Sequence, residues 1–158
     1  MSTYLVSVFL HIVFAAFWIG GMLFLPLILL PSIKNNPERI YLLYHTGIKF
    51  RFYGWIALIG LVFTGIINML LKGIPFSLEF LVKDDYGKLL GLKLLCFFTM
   101  VLVSGLHDFY IGTKTIEQLQ QNKGKNTKQL ARWTGRINLL LALLIALLGV
   151  ALSRGGFK

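Results

Sequence analysis

Three histidines are the residues of this chain best suited to hold a metal ion or a haem iron. His11 lies in the uncharged stretch "LHIVFAAFWIGGMLF", His107 lies near the end of another apolar stretch, and His45 lies in a basic segment. Neutral imidazole is the commonest protein metal ligand and a usual ligand of haem iron. Because an ionisable side chain is costly to bury in hydrocarbon, the two histidines in apolar stretches predict cofactor ligation. The alternative is a buried neutral imidazole that hydrogen-bonds to a carbonyl or hydroxyl group.

Helical spacing predicts which side chains accompany the two intramembrane histidines. The face of His11 carries Ser7, Trp18 and Met22. The face of His107 carries Met100, Ser104 and Ile111, with Cys96 one turn from Met100. Trp18 lies in the middle of its stretch, where it is suited to pack against a helix or against a porphyrin face.

The depth of each histidine decides which of them can share an iron. With the first span centred near Phe17 and the third near Met100, His11 lies ~9 Å towards one side and His107 lies ~10 Å towards the other. The two are therefore separated by roughly 20 Å along the membrane normal, too far to bind one iron. His45 lies ~15 Å beyond the level of His107 on a straight helix. The sequence thus favours two sites, one in each leaflet, and one or two haem groups per chain.

The composition predicts a membrane protein. Of the 158 residues, 56% are hydrophobic and 14% are charged, and the mean hydropathy is +0.74. Four apolar runs are long enough for spanning helices, which need roughly 20 residues each. The predicted spans are residues 4–31, 52–71, 89–112 and 136–153. We therefore predict an all-α, polytopic four-helix bundle in a lipid bilayer, a single domain over residues 1–158.

Basic residues are distributed unevenly between the two ends of this bundle. The formal net charge is +10, and ten of the 16 Lys and Arg residues lie in or beside the connections between spans one and two and between spans three and four. Cytoplasmic loops carry excess Lys and Arg, so these connections are predicted to be cytoplasmic and both termini to lie outside. This pattern accounts for the charge without a nucleic-acid partner and predicts a multi-pass protein of a bacterial-type inner membrane. Arg51, at the cytoplasmic mouth of span two, is a candidate partner for haem propionates.

Several shorter segments give local predictions. Pro26 is expected to bend span one. Residues 38–49 are amphipathic, which is typical of a helical extension of span two or of a helix in the membrane interface. Residues 72–88 are expected to form an outer loop, with Gly73 and Pro75 ending span two. Small residues suited to close helix packing are Gly20, Gly21, Gly60, Thr64, Ala142 and Ala146.

Three quoted stretches resemble a known family. "LHIVFAAFWIGGMLFLPLIL" resembles the first span of the copper resistance D (CopD-like) membrane proteins, with its His, Trp and paired Gly. "KFRFYGWIALIGLVFTGIINML" resembles their second span, and "YGKLLGLKLLCFFTMVLVSGLHDFYIG" resembles their third, with Lys93 and His107. The layout is also similar to that of HemJ-type protoporphyrinogen oxidases, four-span proteins associated with b-type haem. The resemblance implies that His11 and His107 are cofactor ligands.

Three functions are consistent with these observations. The first is a membrane b-type haem protein that transfers electrons or acts as an oxidoreductase on a quinol, a porphyrinogen or an oxygen species, with a quinone or another redox partner. Its candidate site residues are His11, His107, His45, Trp18 and Arg51. The second is a copper-binding or copper-transporting protein, since Cys96, Met100 and His107 form a stripe of soft ligands. The third is a non-catalytic membrane subunit. A homodimer is expected, because a second protomer could supply a missing axial ligand.

Overall fold

The regular structure of this chain is helical throughout the part that the computed structural model describes, residues 2–108 and 125–156, apart from the side chains of residues 2, 125–128 and 131. Four helical segments are long and apolar enough to cross a membrane: Thr3–Ser32, Arg39–Leu71, Asp85–Leu106 and Arg132–Ser153. Their outward surfaces are apolar, and large side chains such as Phe9, Phe63 and Leu102 are more than 60% exposed. Such surfaces are stable only in contact with lipid. The predicted all-α, four-span, multi-pass membrane protein is confirmed.

The first span changes its helical form near its end. Helix α1 (Ser2–Phe24) continues into a π-helical segment, Leu25–Leu29, and then into the short helix α2 (Leu30–Ser32). Pro26 lies in the π-helical segment, and a proline lacks the N–H that a regular helix needs there. This is the local distortion that the proline predicted.

The second span belongs to the longest helix, α3 (Arg39–Leu71). The amphipathic segment 38–49 continues directly into the span, so it is the helical extension and not a separate interfacial helix. Helix α3 ends as predicted, because Gly73 takes a φ of 66°. The Gly73 N–H bonds to the Leu70 carbonyl and the Ile74 N–H to the Met69 carbonyl, both at 3.0 Å, the pattern of a Schellman motif.

The predicted outer loop contains a short helix, α4 (Leu78–Lys83), that hydropathy did not indicate. Its N-cap is Ser77, whose Oγ accepts a hydrogen bond from the Phe80 N–H at 3.2 Å. Asp84 caps the next helix, α5 (Asp85–Leu106), by accepting from the Gly87 N–H at 2.9 Å. Helix α4 lies against the start of α5 at Gly87, where an added Cβ would collide with the Phe80 carbonyl.

The last helix, α6 (Lys125–Ser153), begins in the polar connector and before the predicted span at residue 136. Residues 109–112 of the predicted third span, together with Lys114 and Lys123 of the basic connection, lie outside the described residues. Polar residues precede the apolar runs of both α3 and α6, so each helix extends beyond the span that hydropathy defines.

Aromatic rings fit against glycines where α1 and α3 pack. A Cβ added to Gly54 would lie 2.6 Å from Trp18, and one added to Gly60 would lie 2.5 Å from Phe14. Phe50 of α3 occupies the matching position over Gly21 of α1, whereas nothing lies within 4 Å of a Cβ at Gly20. Because a ring fills the position of each missing side chain, these contacts fix the register between the two helices.

The two pairs of antiparallel helices define two ends of the bundle. Tyr4, Lys72 and Ser153 lie at one end, called here the terminal end, where the Lys72 ammonium is 5.9 Å from the Tyr4 ring centroid. Arg51 and His107 lie at the other, called here the basic end. The core between the ends is formed by Trp18, Leu58, Leu61, Met100 and Ala142.

We predict that Gly87→Ala destabilises the protein, because the new Cβ meets backbone atoms of α4 that cannot move aside without shifting the helix. The expected cost is about 1–3 kcal/mol, typical of overpacking. The matched control is Gly105→Ala in the same helix, where nothing lies within 4 Å of the new Cβ. Thermal unfolding in detergent should show a lower midpoint for Gly87→Ala and an unchanged or higher one for Gly105→Ala. Equal midpoints for the two variants would contradict this packing.

Candidate functional site

A threonine determines the protonation of the first intramembrane histidine. The Nδ1 of His11 lies 2.8 Å from the Oγ1 of Thr64, and this hydroxyl donates to the Gly60 carbonyl at 2.6 Å. A hydroxyl carries one proton, so with that proton on Gly60 its oxygen accepts from the imidazole. The hydrogen-bond pattern therefore assigns the ring proton of His11 to Nδ1. The Nε2 of His11 is left with a lone pair, the state in which imidazole binds metals.

His11 lies on the wall of a cavity of about 690 Å³. The cavity runs from Tyr4 and Lys72 at the terminal end to Trp18 and Met100 in the middle of the bundle. Its walls are mainly apolar, and its volume is within the range of about 300–1,000 Å³ found for ligand pockets. The cavity is therefore large enough for a cofactor of the size of a porphyrin or for a smaller ligand.

Polar groups line this cavity without protein partners. The Nε1 of Trp18 and the Oδ1 of Asn68 are buried, and neither has a hydrogen-bond partner within the described residues. The ammonium of Lys93 also lines the cavity, 3.4 Å from the position of a Cβ on Gly149. Buried polar groups are normally paired, so this donor and this acceptor are suited to bind an ordered water or a ligand with polar groups.

Two methionines share the cavity with His11. Met69 and Met100 both line it, and Met100 is 2% exposed. Cys96 is buried but does not line the cavity. Within residues 2–108 and 125–156, no three His, Cys, Asp or Glu side chains lie close enough to hold a metal ion together. Metal ligation in this cavity would thus combine His11 with thioether sulfurs.

The second intramembrane histidine repeats the first arrangement at the basic end. The Nδ1 of His107 lies 2.8 Å from the Oγ1 of Thr134, and this hydroxyl donates to the Leu130 carbonyl at 3.0 Å. By the same argument His107 carries its proton on Nδ1 and a lone pair on Nε2. Unlike His11, His107 does not line the large cavity.

The two histidines occupy different depths of the bundle. The Nη1 of Arg51 donates to the backbone carbonyl of Asp108 at 3.2 Å, which places His107 near the level of Arg51. Thr64, the partner of His11, lies thirteen residues further along α3, a distance of ~20 Å. This separation agrees with the one expected from the sequence, and a single iron cannot bind both histidines.

The remaining candidate residues have different surroundings. Trp18 is 6% exposed, stacks on Phe50 at 5.8 Å and forms part of the cavity floor. Arg51 does not line the cavity; its guanidinium and the Trp55 indole face Asp108. His45 is exposed on the extension of α3, with its ring 4.1 Å from that of Tyr41. The structure thus brings His11 and Trp18 to one cavity and leaves His45, Arg51 and His107 outside it.

Sequence reasoning missed the residues that complete the site. Thr64 was noted only as a small packing residue, and Thr134, Asn68 and Lys72 received no role. The signal for the two threonines and Asn68 was a polar side chain in or beside an apolar run, which a membrane helix normally directs inward. The cations of the cavity are Lys72 and Lys93, at the end of the bundle opposite Arg51.

The fold and the site define a class: a small four-span membrane protein with an intramembrane histidine on the wall of an apolar cavity. The chain belongs to the copper resistance protein D (CopD) family, whose sequence profile matches residues 45–152. It is also 34% identical over 149 residues, or 93% of each chain, to an uncharacterized protein of Aquifex aeolicus (strain VF5). No solved structure matches the chain. The CopD-like resemblance is confirmed, with a match that covers spans two to four.

We predict that Thr64→Val destabilises the protein, because an isosteric methyl group removes the hydroxyl bonded to His11 Nδ1 and leaves the Leu61 backbone as the remaining partner of the ring. The net loss of one hydrogen bond costs about 0.5–1.5 kcal/mol. The matched control is Thr99→Val, since Thr99 donates to the Leu95 carbonyl at 2.8 Å on an exposed face. The midpoint of thermal unfolding in detergent should fall for Thr64→Val and change little for Thr99→Val. A fall of equal size in the control would mean that the imidazole bond does not stabilise the bundle.

Proposed function

We propose that this protein binds b-type haem in the 690 Å³ cavity through the Nε2 of His11, and that it transfers electrons within the membrane. The observation that carries the proposal is the hydrogen bond from His11 to Thr64, which keeps the proton on Nδ1. A ligand histidine typically has its second nitrogen bonded in this way, which orients the ring. The position of His11 on the cavity wall supports the same conclusion.

The lining of the cavity suits a porphyrin. Its apolar walls would contact the ring, while Lys72 and Lys93 are cations that could pair with propionate carboxylates. This assigns the propionates to the terminal end and not to Arg51. When bound, haem supplies one-electron redox chemistry, and the protein supplies ligation, orientation and a dry surrounding.

A second axial ligand is available within the same cavity. The thioethers of Met69 and Met100 line it together with His11, and His–Met ligation is one of the established ways to hold haem iron. Two further predictions concern haem ligation: an axial ligand supplied by the second protomer of a homodimer, and a second haem at His107. The identity of the substrate, a quinol, a porphyrinogen or an oxygen species, is also a prediction.

We place the basic end on the cytoplasmic side of a bacterial-type inner membrane. The connections at that end carry Lys34, Arg39 and Lys49 together with the basic residues that follow the third span. Positively charged connections are retained on the cytoplasmic side. In this orientation the end of the cavity at Tyr4 and Lys72 lies towards the outer side.

Copper binding is the second candidate, and one observation favours it. His11 shares the cavity with two thioether sulfurs, those of Met69 and Met100, and Cu(I) prefers such soft ligands. The name of the CopD family points in the same direction. In this case the stripe of Cys96, Met100 and His107 is not the site, because only Met100 of these three lines the cavity.

We predict that the purified protein shows a b-type spectrum when dithionite-reduced and air-oxidised absorption are compared, and that His11→Ala loses the bound haem. His45→Ala is the matched control, because that ring is exposed and outside the cavity. It should retain the haem of the unaltered protein. Retention of haem by His11→Ala, or loss from both variants alike, would contradict ligation by His11.

Copper measured on the same samples separates the two candidates. If copper is the cargo, the protein should lack haem absorption, hold copper, and lose it in a Met69→Leu, Met100→Leu double variant. If haem is the cofactor, this variant should still contain haem. The reduction potential of the haem should shift only if a thioether is the second axial ligand of the iron. A sample with neither haem nor copper would contradict both candidates.

A further inference from the structure

Lys93 is a basic residue placed inside a membrane span. It lies eight residues along α5 from Asp85, or ~12 Å, and its ammonium is 3.4 Å from the position of a Cβ on Gly149 of α6. Gly149 is four residues before Ser153, the end of α6, so the ammonium lies roughly 6 Å inside the terminal end. A charged side chain at such a depth is costly unless it is paired.

No carboxylate among the described residues pairs with Lys93. The ion pairs of that part of the chain lie on its exposed surface and are Lys83 with Glu79 and Lys88 with Asp85. A charged neighbour that acts on Lys93 is Lys72, a second basic residue that lines the same cavity. Two cations that share an apolar cavity repel each other. An anion bound in the cavity would relieve this repulsion and pair with the buried charge.

An uncharged polar group accompanies this ammonium in the cavity. Asn68 is three residues before Leu71, the end of α3, so it lies ~4.5 Å inside the terminal end, close to the depth of the ammonium. Its amide carries donors as well as an acceptor. Deeper in the cavity, the walls are apolar as far as the indole of Trp18. The polar groups at the terminal end therefore suit a compact anion on an apolar body, such as a carboxylate.

The wall of the cavity is reachable from the lipid. Val62 and Ile66 of α3 and Phe98 of α5 line the cavity and are also exposed on the outer surface of the bundle. In a bilayer that surface contacts the acyl chains of the lipids. A ligand dissolved in the membrane can therefore reach the cavity with its apolar part in hydrocarbon throughout.

We propose that Lys93 is the anion-binding group of the cavity, and that it pairs with the carboxylate of an amphiphile that enters from the lipid. The apolar part of this ligand lies along the cavity walls, and its carboxylate lies near the terminal end beside Asn68. Two ligands share this chemistry: a haem, through a propionate, and a long-chain carboxylic acid dissolved in the membrane. The inference rests on the cavity of the proposed function but not on haem ligation by His11, so it holds for either ligand.

A fluorescent fatty acid tests the role of Lys93. cis-Parinaric acid and the corresponding alcohol are titrated into the protein in nanodiscs of zwitterionic lipid, and energy transfer from the tryptophans to the probe is measured. The protein is used unaltered if it carries no haem and as His11→Ala if it does, so that the cavity is empty. The acid should be displaced by palmitic acid and should bind about tenfold more tightly than the alcohol, the effect of one hydrogen bond to a charged group. Lys93→Met should abolish this preference, and Lys93→Arg should retain it.

Two further variants control for charge and for folding. Lys88→Met removes the same charge from an exposed position of α5 and should leave the preference for the acid unchanged. Gly149→Val keeps the ammonium but places methyl groups beside it, so it should reduce the preference without a loss of charge. Equal binding of acid and alcohol before Lys93 is altered overturns the proposal. So does a preference that persists in Lys93→Met, or an equal loss in Lys88→Met.

Haem and extracted lipid, measured on the same samples, identify the source of the carboxylate. If a haem propionate pairs with Lys93, haem-loaded protein should exclude the acid, and Lys93→Met should retain less haem than Lys88→Met. If a membrane acid is the ligand, the purified protein should release it on solvent extraction, and haem content should not depend on Lys93. An acid preference in protein that never binds haem would support this inference while the proposed function fails. The two failures are therefore distinguishable.

Discussion

The structure depends on a simple constraint: a threonine hydroxyl has one proton, and a polar group inside a membrane must find its partner in the protein. Thr64 gives its proton to the carbonyl of Gly60, one turn earlier in its own helix. His11 must then be the donor, and the nitrogen that remains is a base. Thr134 imposes the same state on His107 at the other end of the bundle. In the neutral form of each ring, Nε2 then keeps a lone pair that can bind a metal or a proton.

This constraint works only if the helices keep their relative positions. The rings of Phe14 and Trp18 fill the spaces over Gly60 and Gly54, on the same stretch of α3 that carries Thr64. A shift of α1 by one helical turn along α3 would remove both rings from their glycines. The same shift would separate His11 from Thr64. The packing and the protonation state of the histidine are therefore coupled. The same contacts leave the adjacent side of His11 open to the cavity.

The sequence predicted the helices better than the side-chain contacts between them. Hydropathy located the four spans, and an imidazole in an apolar run was sufficient to single out His11 and His107. The role of Thr64 depends on the register between α1 and α3, which hydropathy does not contain. Arg51 was chosen for its charge near a predicted interface, but the cations that line the cavity are Lys72, at the end of α3, and Lys93, within α5. Helix α4 was missed because six residues carry too little periodicity.

Ligation of haem or copper by His11 requires that Nδ1 carries the ring proton and that Nε2 is an unprotonated base. Solid-state nitrogen NMR of histidine-labelled protein in bilayers measures this directly, with the signal of His11 assigned by its loss in His11→Gln. We predict a protonated Nδ1 and an unprotonated Nε2 for His11 near neutral pH, whether or not Nε2 binds a metal. A proton on Nε2 of His11 would contradict this assignment, because that nitrogen could then not ligate an iron or copper ion.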